Sequence, residues 1–131
     1  MRRTCLAVLA AALLSAACAS TFDFRREELF EDTTKRYGRL IRWSEFEAAR
    51  PYLAADVPKE REAVPGNVRV ADYEVKQVAY AEDKRQALMT VRITYFQQDN
   101  PKLRTLEDLQ VWEFNADKGA WLLKSGFPAF Q

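Results

Sequence analysis

The stretch 86–97, QALMTVRITYFQ, constrains the fold most. Ala87, Met89, Val91, Ile93 and Tyr95 alternate with Leu88, Thr90, Arg92, Thr94 and Phe96. A period of two is the period of a strand whose faces see different surroundings. The first set is the more apolar and is assigned to the face that meets the helices. Such a strand needs partners, and the flanking sequence offers three. Residues 68–81 carry Val68, Val70, Tyr73, Val75, Val78 and Tyr80. Their phase slips between Val70 and Tyr73 and again between Val75 and Val78, which predicts bulges and a bent sheet. Residues 105–114 put Gln110, Trp112 and Phe114 on one face and Leu109, Val111 and Glu113 on the other. Residues 120–125 follow across Asn115-Ala116-Asp117-Lys118-Gly119, a turn signal with Gly at its last position. Glu82 to Arg85 is read as a turn and 98–102 as a loop. Phe127 and Phe130 are expected to pack the tail back on the sheet.

The first half has a helical period. From residue 24 to 43, Phe30, Thr33, Tyr37, Leu40 and Ile41 share one side with Leu29 beside them, and the other side carries Glu31→Lys35 and Asp32→Arg36 at i,i+4. Gly38 weakens this helix by roughly 1 kcal/mol relative to Ala, and it suits close packing against the sheet. Ser44 and Glu47 read as a capping box opening a second helix, with Trp43 and Ala48 as its hydrophobic staple. Pro51 keeps that helix short. Lys59 to Glu62 has room for one helical turn. Short connections make neighbouring strands antiparallel. The expected class is therefore α+β, N-terminal helices packed on a curved four-stranded antiparallel sheet, a cone-like roll.

With 131 residues the chain has room for one small domain. Its 20 basic and 19 acidic residues give no basic field, so no nucleic-acid partner is expected. It has no His, which removes the commonest general base and metal ligand. Its two Cys, Cys5 and Cys18, both precede the folded body, so no internal disulfide or Cys-based metal site is expected there. Ser44 and Ser125 cannot belong to a Ser-His-Asp triad, and the four Gly form no phosphate loop. The paired acids Glu27-Glu28 and Glu107-Asp108 are sequence neighbours, as on a solvated face. No catalytic residue, metal or cofactor is expected.

The N-terminus reads as a secretory signal: Met1-Arg2-Arg3, an apolar run from 6 to 14, then Ser15, Ala16 and Ala17. At Leu14-Ser15-Ala16-Ala17-Cys18 it resembles the lipobox of bacterial lipoproteins, with Ser15 where that pattern usually has Leu. The resemblance implies cleavage before Cys18, acylation of that residue, and delivery to the outer membrane, because Ala19 rather than Asp follows. The expected organisation is a signal peptide at 1–17, a lipidated Cys with a short tether at 18–24, and one α+β domain at 25–131. The alternative is ordinary cleavage at Ala17-Cys18-Ala19 and a secreted product.

Element order, with the aromatic strands Gln110-Val111-Trp112-Glu113-Phe114 and Trp121 to Gly126, resembles the nuclear transport factor two-like, or cystatin-like, superfamily. That resemblance implies a curved sheet around the first helix. It also admits a small-molecule binder or an isomerase- or cyclase-like enzyme, pairing Tyr37, Tyr73 or Tyr95 with Asp108 or Asp72. Asp108 follows Glu107 at what reads as a loop edge, where a carboxylate is solvated, and no strand shows an Asp buried in mid-run. Tyr37, Met89, Tyr95, Trp112 and Phe114 are candidates to line a cavity; the plainer reading is a filled core. Arg36, Arg39, Arg42 and Arg50 could form an anion patch or simply a solvated helix face. Leu88, Phe96, Leu109 and Val111 mix with polar residues on the outward sheet face and are the candidate interface, for a protein partner or a homodimer. The preferred function is a membrane-anchored periplasmic interaction module without catalysis.

Overall fold

The computed structural model describes residues 2–64 and 66–131, with side chains from Thr21 onward. The signal peptide at 1–17 and lipidation at Cys18 rest on side chains outside the described residues. Helix α1 (Arg2–Arg42) is followed by the short α2 (Phe46–Ala49) and by 3-10 turns at Arg50–Tyr52 and Lys59–Arg61. Strands β1 (Val68–Tyr80), β2 (Gln86–Gln97), β3 (Asn100–Asn115) and β4 (Ala120–Leu123) follow. They form one antiparallel sheet in the order β1-β2-β3-β4. The class is α+β.

The register of β1 against β2 shifts between Val70 and Asp72 and between Val75 and Gln77. Those are the two places where the apolar phase slips. An extra residue at each lets both halves of the strand keep apolar side chains inward. Strand β3 begins at Asn100, five residues before the predicted start. Pro101 lies where the β2–β3 register is broken, between the pairs Gln97–Asn100 and Tyr95–Arg104, so its missing N–H costs no ladder bond. β4 stops at Leu123 rather than 125. Ser125 instead accepts a hydrogen bond from the Val111 N–H through its hydroxyl, at 3.0 Å. Gly126 turns the chain at φ 78, and a Cβ there would lie 2.4 Å from Arg61 Cβ, so only glycine fits.

On α1 the buried stripe is Phe30, Thr34, Tyr37 and Ile41. Thr34, not Thr33, joins it, because its hydroxyl bonds back to the Phe30 carbonyl at 2.9 Å and so needs no water. The ladder forms as Lys35–Glu31 and Arg36–Asp32. The helix includes Phe22 and Phe24, where the sequence reading places an unpatterned tether.

The capping box is overturned. Ser44 takes a left-handed φ of 59, its N–H bonds the Ile41 carbonyl at 2.9 Å, and the Glu45 N–H bonds the Leu40 carbonyl at 2.8 Å. That pair of bonds is a Schellman motif closing α1. The Ser44 hydroxyl leaves α2 and accepts from the Val70 N–H of β1 at 2.9 Å. No side chain caps α2. The staple fails with it: Trp43 is exposed, lying under the Arg42 guanidinium at 5.3 Å.

Trp112 stands at the middle of the core. The rings of Phe30 and Tyr37 meet it edge to face at 6.2 and 5.3 Å. Phe30 also meets Trp121 at 5.0 Å. Each such pair adds about 0.5–1.5 kcal/mol beyond the area it buries. Trp121 ties β4 to α1 by donating its indole N–H to the Arg26 carbonyl at 2.9 Å. The tail packs back as expected, with Phe127 fully buried and Phe130 against Phe46 and Tyr95.

Candidate functional site: a buried polar chain and an open sheet face

Alternation along β3 sends Asp108, Gln110 and Trp112 to the same inward face, and hydrogen bonds join them in series. Gln110 Nε2 donates to Asp108 Oδ2 at 3.0 Å, and Trp112 Nε1 donates to Gln110 Oε1 at 3.0 Å. The same Gln110 nitrogen donates to the Tyr73 hydroxyl at 3.1 Å. Arg61 approaches Asp108 from outside, Nη2 to Oδ1 3.9 Å, while its Nε donates to the Phe127 carbonyl at 3.0 Å.

This corrects the reading of Asp108 as a solvated loop-edge acid. It is buried and lies mid-strand, because β3 starts earlier than predicted. Burial raises its carboxyl from the ordinary value, opposed by the Gln110 hydrogen bond and by Arg61. Tyr73 is likewise raised, chiefly by burial. Tyr37 is pushed well up by burial, with Tyr73 and Asp108 adding to it. The Tyr37 hydroxyl is buried and has no hydrogen-bond partner among the described residues.

The two tyrosines and the acid thus come together in the interior, with Tyr73 also lining a groove of about 330 Å³ beside Gly38 and Thr34. Tyr37, Met89 and Trp112 are fully buried in one cluster with Tyr95, and the Tyr37 ring also meets Tyr52 at 5.9 Å. Of the five candidate cavity residues, Phe114 alone is only partly buried, packed on Trp121 at 5.6 Å. Tyr95 is drawn away, its hydroxyl 3.3 Å from the Gln131 carbonyl. Asp72 is exposed on β1. Among the described residues no cluster of acids could hold a metal ion. Sequence reasoning missed Gln110 and Arg61 as members of this group. The inward phase of Gln110 beside Trp112 was the available signal; nothing in the sequence signalled Arg61.

Three of the four arginines are engaged, and Arg39 and Arg42 line one groove. Arg36 pairs with Asp32, Arg50 pairs with Glu47, and Arg42 donates to the Val70 carbonyl at 3.0 Å. Arg39 remains exposed.

The register orders the outward face into rows. Leu88 lies between Ala79 and Val111, Thr90 between Gln77 and Leu109, and Arg92 between Glu74 and Glu107. Leu88 is 46% and Leu109 55% exposed, and Val111 is half-buried. Next to them Arg92 Nε is 2.9 Å from Glu107 Oε1, and Lys76 holds Glu74 at 3.0 Å. The structure therefore brings Leu88, Leu109 and Val111 together. Phe96, the fourth candidate, stands apart beyond the rows of Arg92 and Thr94.

In comparison with known proteins, no family model and no curated protein matches the chain.

Proposed function

We propose that this chain is a lipoprotein of the bacterial envelope, held at the periplasmic face of the outer membrane by acyl groups on Cys18. Its α+β domain is a non-catalytic interaction module, folded as a cone-like roll of the nuclear transport factor two-like kind. It engages a protein partner or a second copy through the outward sheet face. The observation that carries this is the cluster of Leu88, Leu109 and Val111 on an open face. Water-exposed leucines in adjacent rows, bordered by ion pairs that already satisfy one another, have the make-up of an interface centre with a polar rim. Tyr37, Met89 and Trp112, the candidate cavity residues, are in contrast packed in the core.

Light scattering on the eluting mature chain, with crosslinking in membranes, tests the reading. The expected result is a dimer or a crosslinked partner that is lost on Leu88→Asp with Leu109→Asp, both folded. A monomer without a crosslinked partner in membranes refutes the interface. The anchor is read separately, from the mass of the mature N-terminus.

The interior reading, a small-molecule binder or an isomerase- or cyclase-like enzyme, keeps one supporting observation: Tyr37, Tyr73 and the buried Asp108 are grouped there. It requires Tyr37 and Trp112 to part.

A further inference from the structure

In the first turn of α1 with described side chains, apolar residues lie on two sides, and both sides are largely open to solvent. Phe22 and Phe24 are 66% and 68% exposed. Two residues apart on a helix they point roughly 200° from each other, so no single neighbouring element could cover both. Phe22 opens onto a groove of about 500 Å³ lined with Arg25, Arg26, Leu29, Arg85 and Phe114 among others. Its lining acid is engaged, Asp23 pairing with Arg26 at 2.8 Å, and nearby Glu27 on the same helix pairs with Lys84 at 3.1 Å. The Asp83 carboxylate accepts from the Arg85 N–H. Arg25 and Arg85 have no ion-pair partner among the described residues.

Apolar side chains with unpaired arginines between them match the layered chemistry of a bilayer surface, acyl chains below and anionic headgroups above. We propose that this end of the domain docks onto an anionic lipid surface, with Phe22 and Phe24 in the acyl boundary and Arg25 and Arg85 on the phosphates. The proposal rests on the acyl anchor at Cys18, which lies one helical turn before Phe22 in α1. An anchor there holds these residues within about 10 Å of the lipid at 1.5 Å per residue. The domain would then be held in a fixed orientation rather than swinging on a tether.

The folded body has no cysteine, so a single label can be placed on the full chain after its processing in cells. Chains carrying Phe24→Cys or Trp43→Cys, each with an environment-sensitive fluorophore, are reconstituted into vesicles with and without phosphatidylglycerol. Trp43 is exposed at the other end of α1, about 28 Å away. The expected result is blue-shifted emission at 24, quenched by brominated lipid, and neither effect at 43. Arg25→Glu and Arg85→Glu should each lower the docked fraction relative to free about fivefold or more, and lipid without phosphatidylglycerol should weaken it likewise. An acylated, vesicle-bound chain whose label at 24 stays as water-exposed as that at 43 overturns docking while leaving the anchor intact. Emission at 24 that is blue-shifted on vesicles but not quenched by brominated lipid means that protein rather than lipid covers the aromatics, and also overturns it. A mature mass without acyl groups overturns the anchor and the docking together.

Discussion

Substituting Gly38 with Ala should destabilise the protein, although helix propensity alone says the opposite. In an exposed helix interior, Gly→Ala gains about 1 kcal/mol. Here the new methyl would lie 2.8 Å from Tyr73 Cε1 and 3.2 Å from its Cζ. The ring is not free to yield, because its hydroxyl is held by Gln110, and Gln110 is held by Asp108 and Trp112. Moving the ring forfeits about 1 kcal/mol of hydrogen bonding. Forcing a methyl into a packed layer costs about 1–3 kcal/mol. The net expectation is a loss of about 1–3 kcal/mol. In a Tyr73→Ala background the obstacle is gone, and the same substitution should stabilise by about 1 kcal/mol. The double-mutant cycle then shows a coupling of about 2–4 kcal/mol and a change of sign. Urea unfolding of the four chains at constant m-value reads it directly. If Gly38→Ala stabilises the wild-type chain, or acts alike in both backgrounds, the Tyr73 ring yields freely and the buried chain from Tyr73 to Asp108 is not a constraint.

Three further outcomes follow from the same contacts. Tyr37→Phe removes a buried hydroxyl without a hydrogen-bond partner among the described residues and should raise stability by about 1 kcal/mol or more; a loss in thermal melts would mean that the hydroxyl is engaged after all. Asp108 keeps its proton to higher pH folded than unfolded, so its contribution to stability falls as pH rises from the unfolded value near ~4 through the raised folded one. Asp108→Asn should therefore gain on the wild type with rising pH across that window and match it below; parallel pH–stability curves would refute the shift. Ser44→Ala loses the bond to the Val70 N–H and keeps the left-handed backbone, costing about 1–2 kcal/mol. Ser44→Gly loses the same bond but relieves the backbone, so denaturant midpoints should place it between Ser44→Ala and the wild type.

What could be read from the sequence follows from whether a signal is local. The bulges of β1 were readable because a phase slip is written directly in the spacing of Val70, Tyr73, Val75 and Val78, and β2 because its alternation runs unbroken through Tyr95. Ser44 shows the limit. A Ser three residues before a Glu looks the same whether it opens one helix or closes another. Here an amide 26 residues later decides, because the Val70 N–H on the free edge of β1 needs an acceptor and takes the Ser44 hydroxyl. Asp108 was misread for a related reason. The stretch 98–102 reads as a loop, so the edge was drawn at Thr105 and Asp108 fell beside it; the break in register at Pro101 lets β3 begin at Asn100 and places the acid in mid-strand. Its cation, Arg61, comes from a turn 47 residues earlier in the chain, beyond any local pattern. The outward face stands between these cases. Alternation says that Leu88, Phe96, Leu109 and Val111 point out, but only the register says which are neighbours. Val111 opposite Leu88, with Leu109 one row on, makes a patch; Phe96, beyond Arg92 and Thr94, cannot reach it. An interface built on this face therefore should respond to Leu88 and Leu109 and be indifferent to Phe96→Ser, a distinction that the list of outward apolar residues could not make by itself.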